Sequence, residues 1–137
     1  MRGPDHKQSS LFSYTNIEDR IAVDHPLRRV KVMADMVLHS MSPTFDSLYA
    51  EGGRPSIAPE RLLRALLLQC LFSIRSERAL IEHLDFNMMF RWFVGLSQDE
   101  PVWDHSSFSA NRDRLFKESV MREFFGGVVA IAEWAEL

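Results

Sequence analysis

A leucine-rich stretch between Pro59 and Ile74 most constrains the fold of this 137-residue chain. Its apolar side chains recur at one- and three-residue steps, the spacing of one broad helical face. They are Leu62, Leu63, Leu66, Leu67, Cys70, Leu71 and Ile74. Leu68 and Phe72 add apolar cover on the opposite side, and a helix that is apolar nearly all round must be surrounded by other helices. We therefore predict a helix that begins at Pro59 and forms the buried centre of a helical bundle.

Helical spacing of apolar residues recurs on both sides of this stretch. It predicts a helix that opens at Asp24 or His25, and a short helix that ends at Gly52-Gly53. After a turn, Ser76 caps a helical segment that continues to Gly95. Two further helices follow. In the first, Phe108 and Leu115 point inward with Phe116 as support, and the apolar side of the second is Val120, Phe124, Phe125, Val128, Ile131 and Trp134. Gly126-Gly127 is a weak point in the last of them.

No segment has the alternating pattern of a strand, so the predicted fold class is all-α. We expect a helical bundle with a buried central helix and a helix-turn-helix-like C-terminal part. Residues 1–10 are polar and are predicted to be a mobile tail, and residues 11–137 to be a single helical domain. Leu11, Phe12 and Tyr14 are expected to press an arm onto the bundle, with a connector from Glu18 to Asp24.

Composition narrows the class of protein. No apolar run approaches the eighteen or so residues of a membrane span, and the first residues lack the apolar core of a signal peptide. The single cysteine, Cys70, is placed on the buried face and has no partner for an internal disulfide. These features predict a cytoplasmic protein with no membrane partner.

Motifs of catalysis and metal binding are weak in this chain. Asp104, His105 and Ser106 are consecutive, so their side chains diverge instead of lining up as a triad. The five histidines lack metal-ligand spacing, and no glycine-rich loop follows a strand. We therefore predict no catalytic residue, no metal, no cofactor and no small-molecule substrate.

A polar helix over 106–117 carries the strongest functional signal. Its short or forked side chains suit phosphates and base edges in a major groove. The candidate DNA-binding residues are Ser107, Ser109, Asn111, Arg112 and Arg114, with Arg75 and Arg78 on nearby phosphates. The formal net charge is −3, but five arginines stand against two glutamates between Arg54 and Arg78. The alternative is a solvated helix face on which Asp113 neutralises an arginine.

The order of the motifs resembles the N-terminal domain of bacterial insertion-sequence transposases of the DDE class. The first matching motifs are Phe12-Ser-Tyr, Glu18-Asp-Arg, Asp24-His-Pro-Leu-Arg and Gly53-Arg-Pro-Ser-Ile. They continue with Pro59-Glu-Arg-Leu-Leu-Arg-Ala-Leu-Leu-Leu-Gln, Ser73-Ile-Arg-Ser-Glu-Arg and Phe90-Arg-Trp-Phe-Val-Gly-Leu. The last are Pro101-Val-Trp-Asp-His-Ser-Ser-Phe-Ser and Asn111-Arg-Asp-Arg-Leu.

The resemblance implies a helical domain that recognises double-stranded transposon-end DNA and helps to assemble the transposition complex. It places the protein in the bacterial cytoplasm, at the nucleoid when bound to DNA. The sequence reaches Leu137 without the acidic motifs of the family's catalytic domain. The resemblance thus implies a truncated transposase, a non-catalytic fragment without the nuclease.

An alternative function is a protein-interaction module. The segment around Met88, Met89 and Trp92 has more large apolar side chains than one small core requires, so these three are candidate interface residues. Such a surface would join two copies of the chain, or the chain and a full-length transposase. The competing interpretation is that these side chains are plain core.

Overall fold

The chain folds into α-helices joined by short connections. The computed structural model describes residues 2–5, 12, 14–49, 57–117 and 119–135. The helices are α1 (Ile17–Arg20), α2 (Pro26–Ser40), α3 (Ser42–Tyr49), α4 (Pro59–Leu71), α5 (Glu77–Phe86), α6 (Met88–Val94), α7 (His105–Lys117) and α8 (Val120–Trp134). No strand occurs in these residues, and the predicted all-α fold is confirmed. Within the same ranges, no helix is both long enough and apolar enough to cross a membrane.

Helix boundaries follow local chemistry closely. Pro26 and Pro59 stand at the starts of α2 and α4, where a missing N–H leaves no bond unmade. Ser76 Oγ accepts a hydrogen bond of 3.1 Å from the N–H of Ala79 and so caps α5. The segment predicted to run on to Gly95 is two helices, because Asn87 ends α5 and its side chain caps α6. The predicted stop at Gly52-Gly53 lies outside the described residues.

Helix α4 lies at the centre of the packing, against α5, α6, α7 and α8. Leu62, Leu63 and Leu68 are almost fully buried. The last turn differs from the prediction: Cys70, Leu71 and Phe72 are exposed. The apolar face of α4 continues to the end of the helix, but neighbouring helices do not cover this last part. Phe72 still contacts Phe90, with 5.0 Å between the two ring centres.

The N-terminal segment contains a short helix where a connector was predicted. Ile17 and Ile21 are buried, and Arg28 donates to the carbonyl oxygens of Glu18, Ile21 and Ala22. Arg28 also pairs with the Glu18 carboxylate. Hydrogen bonds from Arg28 and then from the Trp92 indole lower the pKa of Glu18. This segment is thereby tied to both α2 and α6.

Several apolar side chains predicted to point inward are exposed. Phe12 and Tyr14 lie in solvent, so the expectation of an arm pressed onto the bundle is wrong for these two residues. Leu11 lies outside the described residues. Phe116 and Trp134 are also exposed, because the inward faces of α7 and α8 are already filled by their buried neighbours. Those neighbours are Phe108, Leu115, Val120, Phe124 and Val128.

One charged side chain is buried among the described residues, that of Arg91, which is only 4% exposed. Its guanidinium donates to Leu84 O (2.8 Å) and Asp85 O (3.3 Å) at the end of α5. It also donates to Ser97 O (2.6 Å) and to Glu100 O in the loop before α7. The charge lies at the negative end of the α5 dipole, which favours a cation there. Arg91 therefore fastens the end of α5 to the connection that leads into α7.

Replacing Arg91 by methionine is expected to lower the free energy of unfolding by about 3 kcal/mol or more, because buried carbonyls lose their donor. Urea unfolding followed by circular dichroism measures this. The matched control is Arg29→Met on the exposed face of α2, which should change stability by less than about 0.5 kcal/mol. Equal, small effects of the two substitutions would show that Arg91 is not a structural clamp.

The two adjacent glycines of α8 have different surroundings. A Cβ atom on Gly127 would lie 2.8 Å from Val37 Cγ1 of α2, while one on Gly126 would meet nothing within 4 Å. Gly127 therefore lets α2 and α8 approach closely, and only Gly126 fits the prediction of a weak point in the helix.

We expect Gly126→Ala to raise the free energy of unfolding by up to about 1 kcal/mol through helix propensity. Gly127→Ala should lower it by about 1–3 kcal/mol, because the added methyl group overpacks the contact with Val37. Adding Val37→Ala should relieve that crowding, so that Gly127→Ala becomes less harmful in this background. If both alanine variants gain the same stability, the close approach at Gly127 is refuted.

Candidate nucleic-acid interface

Helices α5 and α7 pack against each other, and their contact forms the α5–α7 seam. We define the seam as Arg75, Ser76, Glu77, Arg78, His105, Ser109 and Arg112. The last three lie four and three residues apart on α7, the spacing of one helix face. The seam therefore combines the first turn of α5 with one side of α7.

Glu77, the first residue of α5, holds the seam together. Ser109 Oγ donates a hydrogen bond of 2.8 Å to Glu77 Oε1, and Arg112 Nη1 lies 2.5 Å from Glu77 Oε2. His105 Nε2 is 3.5 Å from Oε1. The Glu77 side chain is only 11% exposed, so its charge faces α7 and not solvent. One carboxylate on α5 thus orients three polar side chains of α7.

Arg112 is held at two points and keeps an accessible edge. Its second partner is Asp113, whose Oδ1 accepts a hydrogen bond of 2.8 Å. The hydrogen bond to Asp113 and the charge of Glu77 raise the pKa of Arg112, so the guanidinium is charged. Its side chain is 38% exposed, which leaves donors available to a nucleic-acid acceptor.

Arg75 and Arg78 flank the Ser76 cap at the start of α5. Both are exposed, and neither forms an ion pair with a residue that the structure describes. They lie at the positive end of the α5 dipole, which adds to their attraction for an anion. The acidic residues Glu82 and Asp85 lie further along the same helix. Helix α5 is therefore basic at its start and acidic towards its end.

The remaining candidates on α7 lie on another side of the helix. Ser107 donates a hydrogen bond of 2.7 Å to Asp104, and Asn111 Nδ2 donates one of 2.7 Å to Ser107 O. Arg114 donates to Leu48 O at 3.1 Å and stacks over the Tyr49 ring at 4.3 Å. Ser109 and Arg112 contact Glu77 across the seam, Arg75 and Arg78 lie beside Glu77 in sequence, and Ser107, Asn111 and Arg114 lie outside the seam.

Asp104 places a negative charge at the N-terminus of α7. Its carboxylate accepts from both the side chain and the backbone N–H of Ser107, and these bonds lower the pKa of Asp104. An ionised carboxylate therefore already occupies this helix end, where it repels phosphate. The start of α5 also carries a carboxylate, but Glu77 is paired there with Arg112 and flanked by two exposed arginines, so this helix end is the more favourable for an anion.

The seam does not have the geometry of a hydrolytic triad. Ser109 donates its proton towards Glu77, and the same His105 nitrogen, Nε2, faces both Ser109 Oγ (3.4 Å) and Glu77 Oε1. A triad needs the acid on the opposite ring nitrogen from the nucleophile. Across the described ranges, no group of three or more histidine, cysteine, aspartate or glutamate side chains is arranged to hold a metal ion.

The three predicted interface residues lie in two environments. The Trp92 indole donates to the Glu18 carboxylate, and the cations of Arg28 and Lys31 lie 5.4 and 5.7 Å from its ring centre. Trp92 is therefore engaged largely within the chain. Met88 and Met89 are half-buried and line a depression together with Phe86.

Sequence reasoning missed Glu77 and Phe86. Glu77 had a visible signal, since it is an acidic residue directly after a capping serine and between two arginines. Its partners on α7 lie about thirty residues away, so only the tertiary contact reveals them. Phe86 fits the helical period of the core, and the break at Asn87 turns it outward.

Comparison with known proteins gives one match. The family model described as "Transposase domain (DUF772)" matches residues 15–114, from the segment before α1 to Arg114 of α7. No curated protein and no solved structure matches the chain significantly. The match covers most of the chain and the whole α5–α7 seam, and it confirms the predicted resemblance to a transposase domain. The chain belongs to the transposase domain family DUF772.

Proposed function

We propose that this chain is the DNA-binding and assembly domain of a DDE-class insertion-sequence transposase, and that it binds transposon-end duplex DNA through the α5–α7 seam. Membership of a transposase domain family supports an interaction with DNA in general. The observation that carries the site is the pair of exposed arginines, Arg75 and Arg78, at the start of α5. Their charges are not neutralised by ion pairs with described residues, unlike that of Arg112.

The order of α4 and α5 along the chain supports a contact between the start of α5 and the DNA. The two helices follow one another across residues 72–76, and α5 begins with the basic pair. In helix-turn-helix proteins, the N-terminal residues of the second helix reach the DNA. Arg75 and Arg78 contact phosphates in this proposal, and the acidic end of α5 points away from the duplex. The net charge of −3 gives no general attraction to DNA, so this local arrangement sets the binding face.

Arg112 has a different role in the proposal. Because Glu77 and Asp113 hold its guanidinium, little conformational freedom is lost when its remaining donors meet a base edge. Arginine binds guanine O6 and N7 at two points, which is the commonest specific contact in the major groove. Ser109 lies beside it, while Ser107, Asn111 and Arg114 lie on another side of α7 and are not part of this contact surface.

We also propose that the chain binds DNA without cutting it. Cleavage and strand transfer with two metal ions need carboxylates gathered at one place. Here, four carboxylates on separate elements are each paired with a cation instead. The pairs are Glu18–Arg28, Asp35–Arg64, Glu77–Arg112 and Glu100–Arg61.

A second candidate function is interaction with another transposase chain, either a second copy or a full-length protein. One observation favours it: Phe86, close to the predicted interface residues Met88 and Met89, is 78% exposed. Trp92 adds little to such a surface, because its ring and its indole N–H already have partners within the chain.

Replacing Arg75 and Arg78 together by alanine is expected to weaken binding to a terminal-repeat duplex about tenfold or more. The plot of log affinity against log salt should become shallower by about 2, because two phosphate contacts are lost. Fluorescence anisotropy at several salt concentrations measures both quantities.

The control removes two exposed arginines elsewhere, Arg29 of α2 and Arg122 of α8, and so makes the same change in net charge. It should leave the salt slope near that of the parent. Equal losses from the two double variants would mean that only overall charge matters, and would reject the seam. The parent complexes should stay uncut when Mg²⁺ or Mn²⁺ is added.

A further inference from the structure

Phe86 is a large apolar side chain at the surface in the middle of the chain. It ends α5, and the break at Asn87 separates it from the core positions on either side. Leu84 and Phe90 are buried, while Phe86 is largely exposed. A lone exposed apolar residue is ordinary, so the surroundings of Phe86 decide whether it is a contact site.

Phe86 stands between two depressions. The first, of about 410 Å³, is also lined by Met88 and Met89 and by Ile17 and Ile21 of the α1 segment. Methionine side chains adapt their shape to an incoming ring. The second depression is lined by Ala79, Glu82, His83 and Asn87. An apolar knob thus lies beside an apolar hollow on one continuous surface.

The charges on this surface reverse across Phe86. Arg20 lines the first depression and Glu82 lines the second. Both side chains are exposed, and neither forms an ion pair within the described ranges. A two-fold interface requires a self-complementary patch, in which residue i meets residue j and residue j meets residue i. The positively charged Arg20 and the negatively charged Glu82, on opposite sides of the apolar Phe86, satisfy this requirement.

We propose that two copies of this chain dimerise about a two-fold axis beside Phe86. The Phe86 ring of each copy packs into the Met88–Met89 depression of the other. Arg20 of each copy pairs with Glu82 of the partner subunit, so that the ion pair occurs twice. This inference rests on the second candidate function and names its surface. It does not depend on DNA binding.

The dimer leaves the proposed DNA surface free. Phe86 lies eight residues after Arg78 on α5, which is about 12 Å along the helix axis. The dimer contact therefore uses the acidic end of α5, and the basic end stays exposed. One dimer would present two α5–α7 seams, which suits the joining of two transposon ends.

Sedimentation equilibrium of the full chain at micromolar concentrations tests this inference. The parent should form dimers, and Phe86→Ser should weaken dimerisation at least tenfold. At a concentration where both proteins are monomeric, the substitution should not lower the melting temperature, because Phe86 is exposed. Phe116→Ser, which removes an exposed phenylalanine from α7, should leave the dimer unchanged.

Charge reversal identifies the surface. Arg20→Glu alone and Glu82→Arg alone should each weaken the dimer, since each creates two like-charge contacts. The combination of both should restore it, because the ion pairs re-form with exchanged roles.

Each unfavourable outcome overturns a different part of the proposal. A parent that is monomeric at every concentration overturns both the dimer and the second candidate function for two copies of this chain, and leaves the surface to a different protein. A dimer that ignores Phe86→Ser, or that the combined reversal does not restore, places the interface elsewhere and overturns only this surface. Neither result bears on the proposed DNA binding, which is tested separately with the Arg75 and Arg78 variants.

Discussion

The buried guanidinium of Arg91 is the interaction on which the arrangement of the C-terminal half depends. Backbone carbonyls at the end of α5 and in the loop before α7 converge on it. Arginine suits this position because it offers five donors in fixed directions and stays charged. Glu100, in the same loop, pairs with Arg61 of α4, and that hydrogen bond lowers the pKa of Glu100. The loop is thus fastened to three helices, and α7 meets α5 where Glu77 can hold Arg112.

The distribution of charge is compatible with the proposed DNA surface on an acidic chain. Glu18, Asp35, Glu77 and Glu100 each pair with a basic side chain of another part of the chain, so these charges largely cancel and add little outward field. What remains exposed along α5 is a basic start and an acidic end. The same helix therefore offers one end to phosphates and the other to a protein surface of mixed charge, and the two proposed contacts do not compete.

The sequence predicted most of what depends on neighbours along the chain. Proline and serine caps located the starts of α2, α4 and α5, and the apolar period identified their buried faces. The apolar period did not predict where neighbouring helices stop covering these faces. The exposure of Cys70 and Phe86 depends on the length and direction of those other helices. Arg91 stands between two aromatic residues, and its acceptors lie six to nine residues away in separate elements, so the local pattern does not indicate its burial. The polar pattern of α7 did not separate Ser109 and Arg112, which contact Glu77, from Ser107, Asn111 and Arg114, since that division is made by the contact with α5.

We propose that the first turn of α5, together with the facing side of α7, meets the DNA duplex. Nuclear magnetic resonance of the isotope-labelled chain, titrated with a terminal-repeat duplex, tests it most directly. The account predicts that the largest changes in backbone amide shifts fall on residues 74–79 and around Ser109 and Arg112, with the outer face of α2 around Val32 and Met36 unchanged. Changes centred on α2 or α8, with residues 74–79 unaffected, would contradict it.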